Sequence, residues 1–201
     1  MGSYGKMIDI RIMAHPSRKE NVNYILNRLS LSEDSVVWDD RPGGGDATYT
    51  ARKAWCHPLP EGCTHRLVLQ DDIEICENFL NIVEQVAAKH TDKLVSFFHT
   101  EGVMIERYNR TPKVWGQALM FPVHLIRPCW NFIDNTVLKW YKYDVWRHDT
   151  LCIRLWAEHH GIHVINTSPS LVQHIGDISL VGIDKERIAT DYTKEPPLNG
   201  W

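Results

Sequence analysis

Arg66-Leu67-Val68-Leu69-Gln70-Asp71-Asp72-Ile73-Glu74-Ile75 is the stretch on which the reading of this chain turns. Leu67 to Leu69 form a short apolar run of the kind buried on both faces of a sheet. The run ends in two adjacent carboxylates, and a helix-like stretch, Glu77 to Lys89, follows soon after. In an α/β sheet, ligands collect outside the carboxyl ends of the strands. Carboxylates placed there hold a hard divalent cation, and such a cation in turn holds a diphosphate. Read alone, the pair also fits a solvated turn that caps the next helix.

Working outward, Ile8-Asp9-Ile10-Arg11-Ile12-Met13-Ala14 alternates polar and apolar residues and predicts a first strand. His15-Pro16-Ser17 breaks it. Val22, Ile25, Leu26 and Leu29 then recur at helical spacing, with Ser17 and Glu20 placed as a capping box. Ser35 to Asp39 predicts a second strand and Arg41 to Asp46 a loop. Thr48 to Trp55 predicts a helix. Lys93 to Phe98 and Val114 to Phe121 predict further strands, and Leu125 to Lys142 predicts helix in parts. Thr150 to His160 predicts a helix with Leu151, Leu155 and Trp156 on one face, closed by Gly161, and Ile162 to Ile165 predicts a strand. Strand–helix alternation through the first half argues for a single α/β domain built on a mostly parallel, Rossmann-like sheet flanked by helices. Its boundaries are set at 8–182, with a first half at 8–92 and a second at 93–182. Residues 1–7 and 183–201 are read as tails.

With 201 residues, the chain is long enough for one sizeable core. Five irregularly spaced cysteines do not suggest a disulfide framework, and Cys56-His57 with Cys63-Thr64-His65 lacks the spacing of a zinc finger. No apolar run reaches membrane-spanning length, and the first residues lack the apolar core of a secretion signal, so the expectation is a cytoplasmic protein without a membrane partner. There is no Walker loop, nucleophile elbow or dinucleotide-binding glycine motif. Charge is unevenly spread. Residues 107–154 carry eight basic and three acidic side chains in a chain of net charge −3, which marks a face for an anionic partner or a chance cluster on a solvated surface.

If the sheet is parallel, its strand ends bring together His15, Pro16 and Arg18, then Asp39 and Asp40, then Asp71 and Asp72, with Arg52 near enough to pair with phosphate. Each alone also reads as a cap or a surface residue. Trp115-Gly116-Gln117 sets a flat ring, a bare backbone and an amide side by side, suited to a sugar or to a packed core. Asp149 opens a helix, where it serves as a cap or as a general base. His174 is a late histidine able to ligate a metal.

Taken in order, these pieces resemble small glycosyltransferases of the GT-A fold, of the kind often seen in bacteriophages. The resemblance spans residues 8–182. It rests on Met13 to Arg18, Val37 to Asp40, Leu67 to Asp72, Trp115 to Ala118, His148 to Thr150 and Pro169 to Gly176. It implies a nucleotide-sugar donor, UDP-sugar in particular, held by manganese or magnesium. The family's Asp-x-Asp motif falls on Gln70-Asp71-Asp72, with glutamine in its first position. The implied metal ligands are therefore Asp72 and His174, with Asp71 nearer the ribose or sugar and Asp149 as the base of an inverting reaction. Trp115, Gly116, Gln117, Arg107, Arg110, Lys113 and Arg147 are expected on the sugar and acceptor side. An anionic acceptor such as a hydroxymethylated pyrimidine in viral DNA suits the charge. A cell-surface or lipid-linked glycan is the other acceptor, and a nucleotide-sugar-binding module without chemistry is the other class. Nucleotidyl transfer would need a glycine-rich basic signature that His15 to Arg18 does not supply.

Overall fold

The computed structural model describes residues 7–41, 47–100, 114–140, 149–175, 189 and 191–201. Its centre is a six-stranded sheet in the order β2-β1-β3-β6-β5-β7. The strands are β1 (Met7–Ala14), β2 (Val36–Trp38), β3 (Cys63–Gln70), β5 (Leu94–Ser96), β6 (Ala118–Pro122) and β7 (Val164–Asn166). β1 runs parallel to β2 and β3, and β5 parallel to β7. Only β6 runs against its neighbours β3 and β5. The result is the expected α/β architecture, a mostly parallel sheet flanked by helices.

Leu67, Val68 and Leu69 explain why β3 is central. Each is 0–1% exposed, and odd and even positions feed different cores. Leu67 and Leu69 pack with α1 (Lys19–Leu29) and α3 (Phe79–Lys89), through Val22, Ile25, Ile82 and Val83. Val68 packs on the other face with α2 (Ala47–Trp55), α4 (Val123–Phe132) and α6 (Asp149–His160), through Ala51, Trp55, Cys129 and Trp156. α4 runs on through a π-helical turn at 133–137 into α5 (Leu138–Trp140). Residues 191–201, read from sequence as part of a tail, lie against the first core. The Glu77 amide donates to the Lys194 carbonyl, and Tyr192 and Trp201 pack on the apolar cluster.

Several local expectations are corrected. The turn 16–18 is a 3₁₀ turn whose first amide is capped by His15 Nδ1, and α1 begins only at Lys19, so Ser17 is not its N-cap. α6 buries Cys152, Ile153, Trp156 and Ala157; of the predicted face Trp156 is inward and Leu155 packs against the core, whereas Leu151 is exposed. Gly161 closes that helix at φ +64, the left-handed conformation in which glycine is easily placed. The alternation in β1 is not an in–out pattern. Asp9 and Arg11 are both buried, because Arg66, fully enclosed, shares Asp9 with Arg11. Arg66 also donates to the carbonyls of Trp55, His57 and Pro58, which ties the 55–58 turn to the sheet. A buried guanidinium is tolerable only when its donors are matched this fully.

The sequence reading did not anticipate a second, two-stranded sheet, β4 (Ile73–Ile75) with β8 (Val172–His174). Its antiparallel register sets Ile73 opposite His174, and the Ile175 amide donates to the Asp72 carbonyl at 2.9 Å. Among the described residues, no helix is long and apolar enough to cross a membrane.

Candidate active site at the carboxyl ends of the strands

β1, β2 and β3 point their carboxyl ends the same way, and the polar residues that follow them meet. Asp71 and Asp72 leave β3 nearly buried. Arg18, brought back by the turn after β1, sets a single nitrogen, Nη1, 2.8 Å from Asp71 Oδ1 and 2.6 Å from Asp72 Oδ2. The His15 amide donates to the other Asp71 oxygen at 2.7 Å, so both Asp71 oxygens have partners. Asp72 differs. Arg18 and His174 Nε2, the latter at 3.2 Å, converge on its Oδ2, while its Oδ1 is buried with no hydrogen-bond partner among the described residues.

The two carboxyls are pushed in opposite directions. Burial raises the Asp71 pKa, against the hydrogen bonds from the His15 amide and Arg18. Burial also works against ionised Asp72, but the hydrogen bond from His174 and the charge of Arg18 prevail and hold it below its ordinary value. Arg18 is partly desolvated, yet the neighbouring carboxylates raise its pKa further.

Gly116 connects this cluster to the start of α6. A Cβ placed on it would lie 3.0 Å from Gln70 Nε2, 3.8 Å from Asp149 Oδ2 and 2.6 Å from Thr150 Cγ2. The bare backbone therefore lets α6 bring Asp149, which is buried, up to the end of β3. The Gln117 carbonyl accepts from the Gln70 amide at 2.9 Å, and its side-chain Oε1 is buried with no partner among the described residues. Trp115 is half-buried and meets Phe98 edge-on at 5.7 Å.

The remaining predicted residues lie farther out in this network. Asp39 follows β2, its amide bonded to the Ala14 carbonyl, and its carboxylate is clasped by Arg41. Asp40 is exposed and pairs with Lys53. Arg52 is exposed and engages Asp134 in a two-nitrogen, two-oxygen pair. Pro16 sits in the 3₁₀ turn. Arg107, Arg110, Lys113 and Arg147 lie outside the described residues. Cys63 donates to the His65 carbonyl, and none of the five cysteines is in a disulfide.

Among the described residues, no three His, Cys, Asp or Glu side chains form a ready metal cage. What is present is one carboxylate with an unpartnered oxygen, a histidine against it, and a second carboxylate alongside. This matches a magnesium or manganese ion held through one or two carboxylates and completed by water and substrate phosphate, not an all-protein cage. Asp72 and His174 are the side chains that could hold such an ion here.

No family model matches the sequence, and no curated protein matches it either. The chain is similar to a solved structure, that of a glycosyltransferase involved in the glycosylation of the major capsid of PBCV-1. Its TM-score is 0.42 at 8% identity, over 80% of this chain and 82% of that one.

Proposed function

We propose that this chain is a metal-dependent glycosyltransferase that moves a sugar from a nucleotide-sugar, UDP-sugar in particular, to an acceptor hydroxyl. The observation that carries the proposal is the nearly buried Asp72 carboxylate at the end of the central strand. Its Oδ1 is unpartnered, His174 lies against its Oδ2, and Asp149 approaches the same strand end across Gly116. A divalent cation bound there neutralises charge on the departing diphosphate. Asp72 and His174 hold that cation, and Asp71, anchored by the His15 amide, keeps the turn in place. Asp149 accepts the acceptor proton as the hydroxyl attacks the anomeric carbon. Attack opposite the leaving group inverts the anomeric centre. Trp115 and Gln117 border the sugar.

The acceptor reading rests on charge. Arg107, Arg110, Lys113 and Arg147 belong to the basic 107–154 segment, which suits an anionic acceptor such as a hydroxymethylated pyrimidine in DNA. A specific observation favours a second reading, a nucleotide-sugar-binding module without turnover: Gln70 stands where a carboxylate is expected, and Arg18 already neutralises the two that remain.

A thermal-shift panel of nucleotide-sugars with and without manganese tests the proposal. A donor at about 100 times its Kd adds roughly 2.7 kcal/mol, which is about 5–11 °C for a chain of this size. The rise is expected only when metal and nucleotide-sugar are both present, and it disappears in Asp72→Asn. Slow donor hydrolysis by the same protein separates an enzyme from a binder. A panel in which no nucleotide-sugar stabilises the protein refutes the proposal.

A further inference from the structure

We propose that Arg18 is a resident counter-cation that must release Asp72 before a divalent ion is held there, and that the donor's diphosphate draws it away, so that metal and nucleotide bind cooperatively. The inference rests on the metal-dependent reading above and adds to it the order in which the site fills.

Arg18 Nη1 alone bridges Asp71 Oδ1 and Asp72 Oδ2, at 2.8 and 2.6 Å, and the arginine side chain is only 16% exposed. It therefore supplies the positive charge that two adjacent buried carboxylates require. His174 shares Asp72 Oδ2 with it, which leaves Oδ1, among the described residues, as the one oxygen of the pair with no partner. A dication seated on Asp72 would lie beside a guanidinium in a site too enclosed for salt to screen the repulsion. Lysine or histidine would relieve this by losing a proton, but arginine stays charged at any accessible pH. The relief left to it is movement.

The rest of the site is built to stay in place when Arg18 moves. The His15 amide still holds Asp71, and the Ile175 amide still holds the Asp72 carbonyl. What has to change is the guanidinium contact with the two carboxylates, and Arg18 projects from a three-residue 3₁₀ turn, not from the body of a helix. A diphosphate is the partner that makes the exchange favourable. It brings the negative charge that metal and guanidinium together demand, and guanidinium binds phosphate oxygens in a forked geometry. Metal alone must enter against Arg18, whereas metal with diphosphate enters as Arg18 turns to the phosphates.

Manganese titration followed by electron paramagnetic resonance of the free ion tests this, on wild type, Arg18→Gln and Arg18→Lys. Each is measured with and without UDP, and the manganese that UDP binds by itself is subtracted. UDP is expected to tighten manganese binding to the wild type by roughly 5–150-fold, the usual range of coupling between two ligands. Arg18→Gln is expected to bind manganese alone about tenfold more tightly than wild type and to lose most of the UDP effect. Arg18→Lys, a point charge without the fork, is expected to fall between them. Circular dichroism and melting confirm that each variant is folded; if Arg18→Gln is not, Arg18→Lys carries the comparison. If wild type and folded variants bind manganese alone with equal affinity, the inference is overturned and the metal reading stands. If none of them binds manganese, with or without UDP, the metal reading falls and the inference falls with it.

Discussion

Gly116→Ala is the most direct test of how α6 is brought to the strand ends. The new Cβ would sit 2.6 Å from Thr150 Cγ2, closer than real carbon contacts allow, and 3.0 Å from Gln70 Nε2. The glutamine amide is the end of a flexible side chain and can swing aside. Thr150 Cγ2 is one bond from the Cβ of a residue in the first turn of α6, so relief means moving the helix start. Gly116 does not lie in the left-handed region, so alanine fits the backbone there and costs only packing. Alanine also removes unfolded-state freedom, a gain of about 0.4–1 kcal/mol. Overpacking of this kind costs about 1–3 kcal/mol, which outweighs that gain in most of its range. At about 2–4 °C per kcal/mol for this size, the expected fall in Tm is a few degrees, up to about 10 °C. Asp149 shares the displaced turn, so donor hydrolysis and transfer should fall by more than the loss of stability explains. Thr150→Ser deletes the clashing methyl. In the Gly116→Ala background it should restore most of the Tm, whereas on its own it should change little. Differential scanning fluorimetry of the four proteins, read as a double-mutant cycle, gives the coupling. If Gly116→Ala melts at or above wild type, or if Thr150→Ser fails to rescue it, the contact does not set the position of α6.

Asp149→Asn is nearly isosteric, and it should lower transfer by ~10²–10⁴-fold with little change in Tm; turnover close to wild type at saturating substrates would remove Asp149 as the base. Arg66→Met takes one of two guanidinium partners from buried Asp9 and the donors from the Trp55, His57 and Pro58 carbonyls, and by analogy with broken buried ion pairs it should cost about 3–5 kcal/mol in urea unfolding; a loss under about 1 kcal/mol would show that the cluster is not a clamp. The folded Asp72 carboxyl titrates below its ordinary value of 3.8, so its contribution to stability is present above that value and is lost as pH falls through the folded one. The stability gap between wild type and Asp72→Asn should therefore be constant near neutrality and close on acidification below about pH 4, as followed by urea midpoints; a gap independent of pH would contradict the assignment.

The elements legible from sequence are those whose signal is local. Leu67 to Leu69 announce a strand buried on both faces because three consecutive apolar side chains cannot all face one side of a pleat. Val22, Ile25, Leu26 and Leu29 announce α1, and Gly161 its counterpart at the end of α6, because helical spacing and left-handed closure are properties of a few neighbouring residues. The same local reasoning failed where two faces compete. Leu151 looked as apolar as Ile153, yet the core took Ile153. Asp9 and Arg11 looked like the solvent side of β1, yet Arg66, more than fifty residues away in sequence, supplied the charge that let both be buried.

The site divides in the same way. That β3 ends in two carboxylates is written in the sequence, and so is the presence of arginine and histidine candidates. Which candidate meets which carboxylate is not. His174 reaches Asp72 through the β4–β8 pairing across 102 positions, and Arg18 reaches both aspartates across more than fifty. The antiparallel direction of β6, the seating of α6 against Gly116 and the single unpartnered oxygen on Asp72 have the same origin. Sequence period decides the form of each segment, because that depends on neighbours a few residues apart. The partner of each charge is decided by packing, because burial of the whole chain is what removes the water that would otherwise satisfy it.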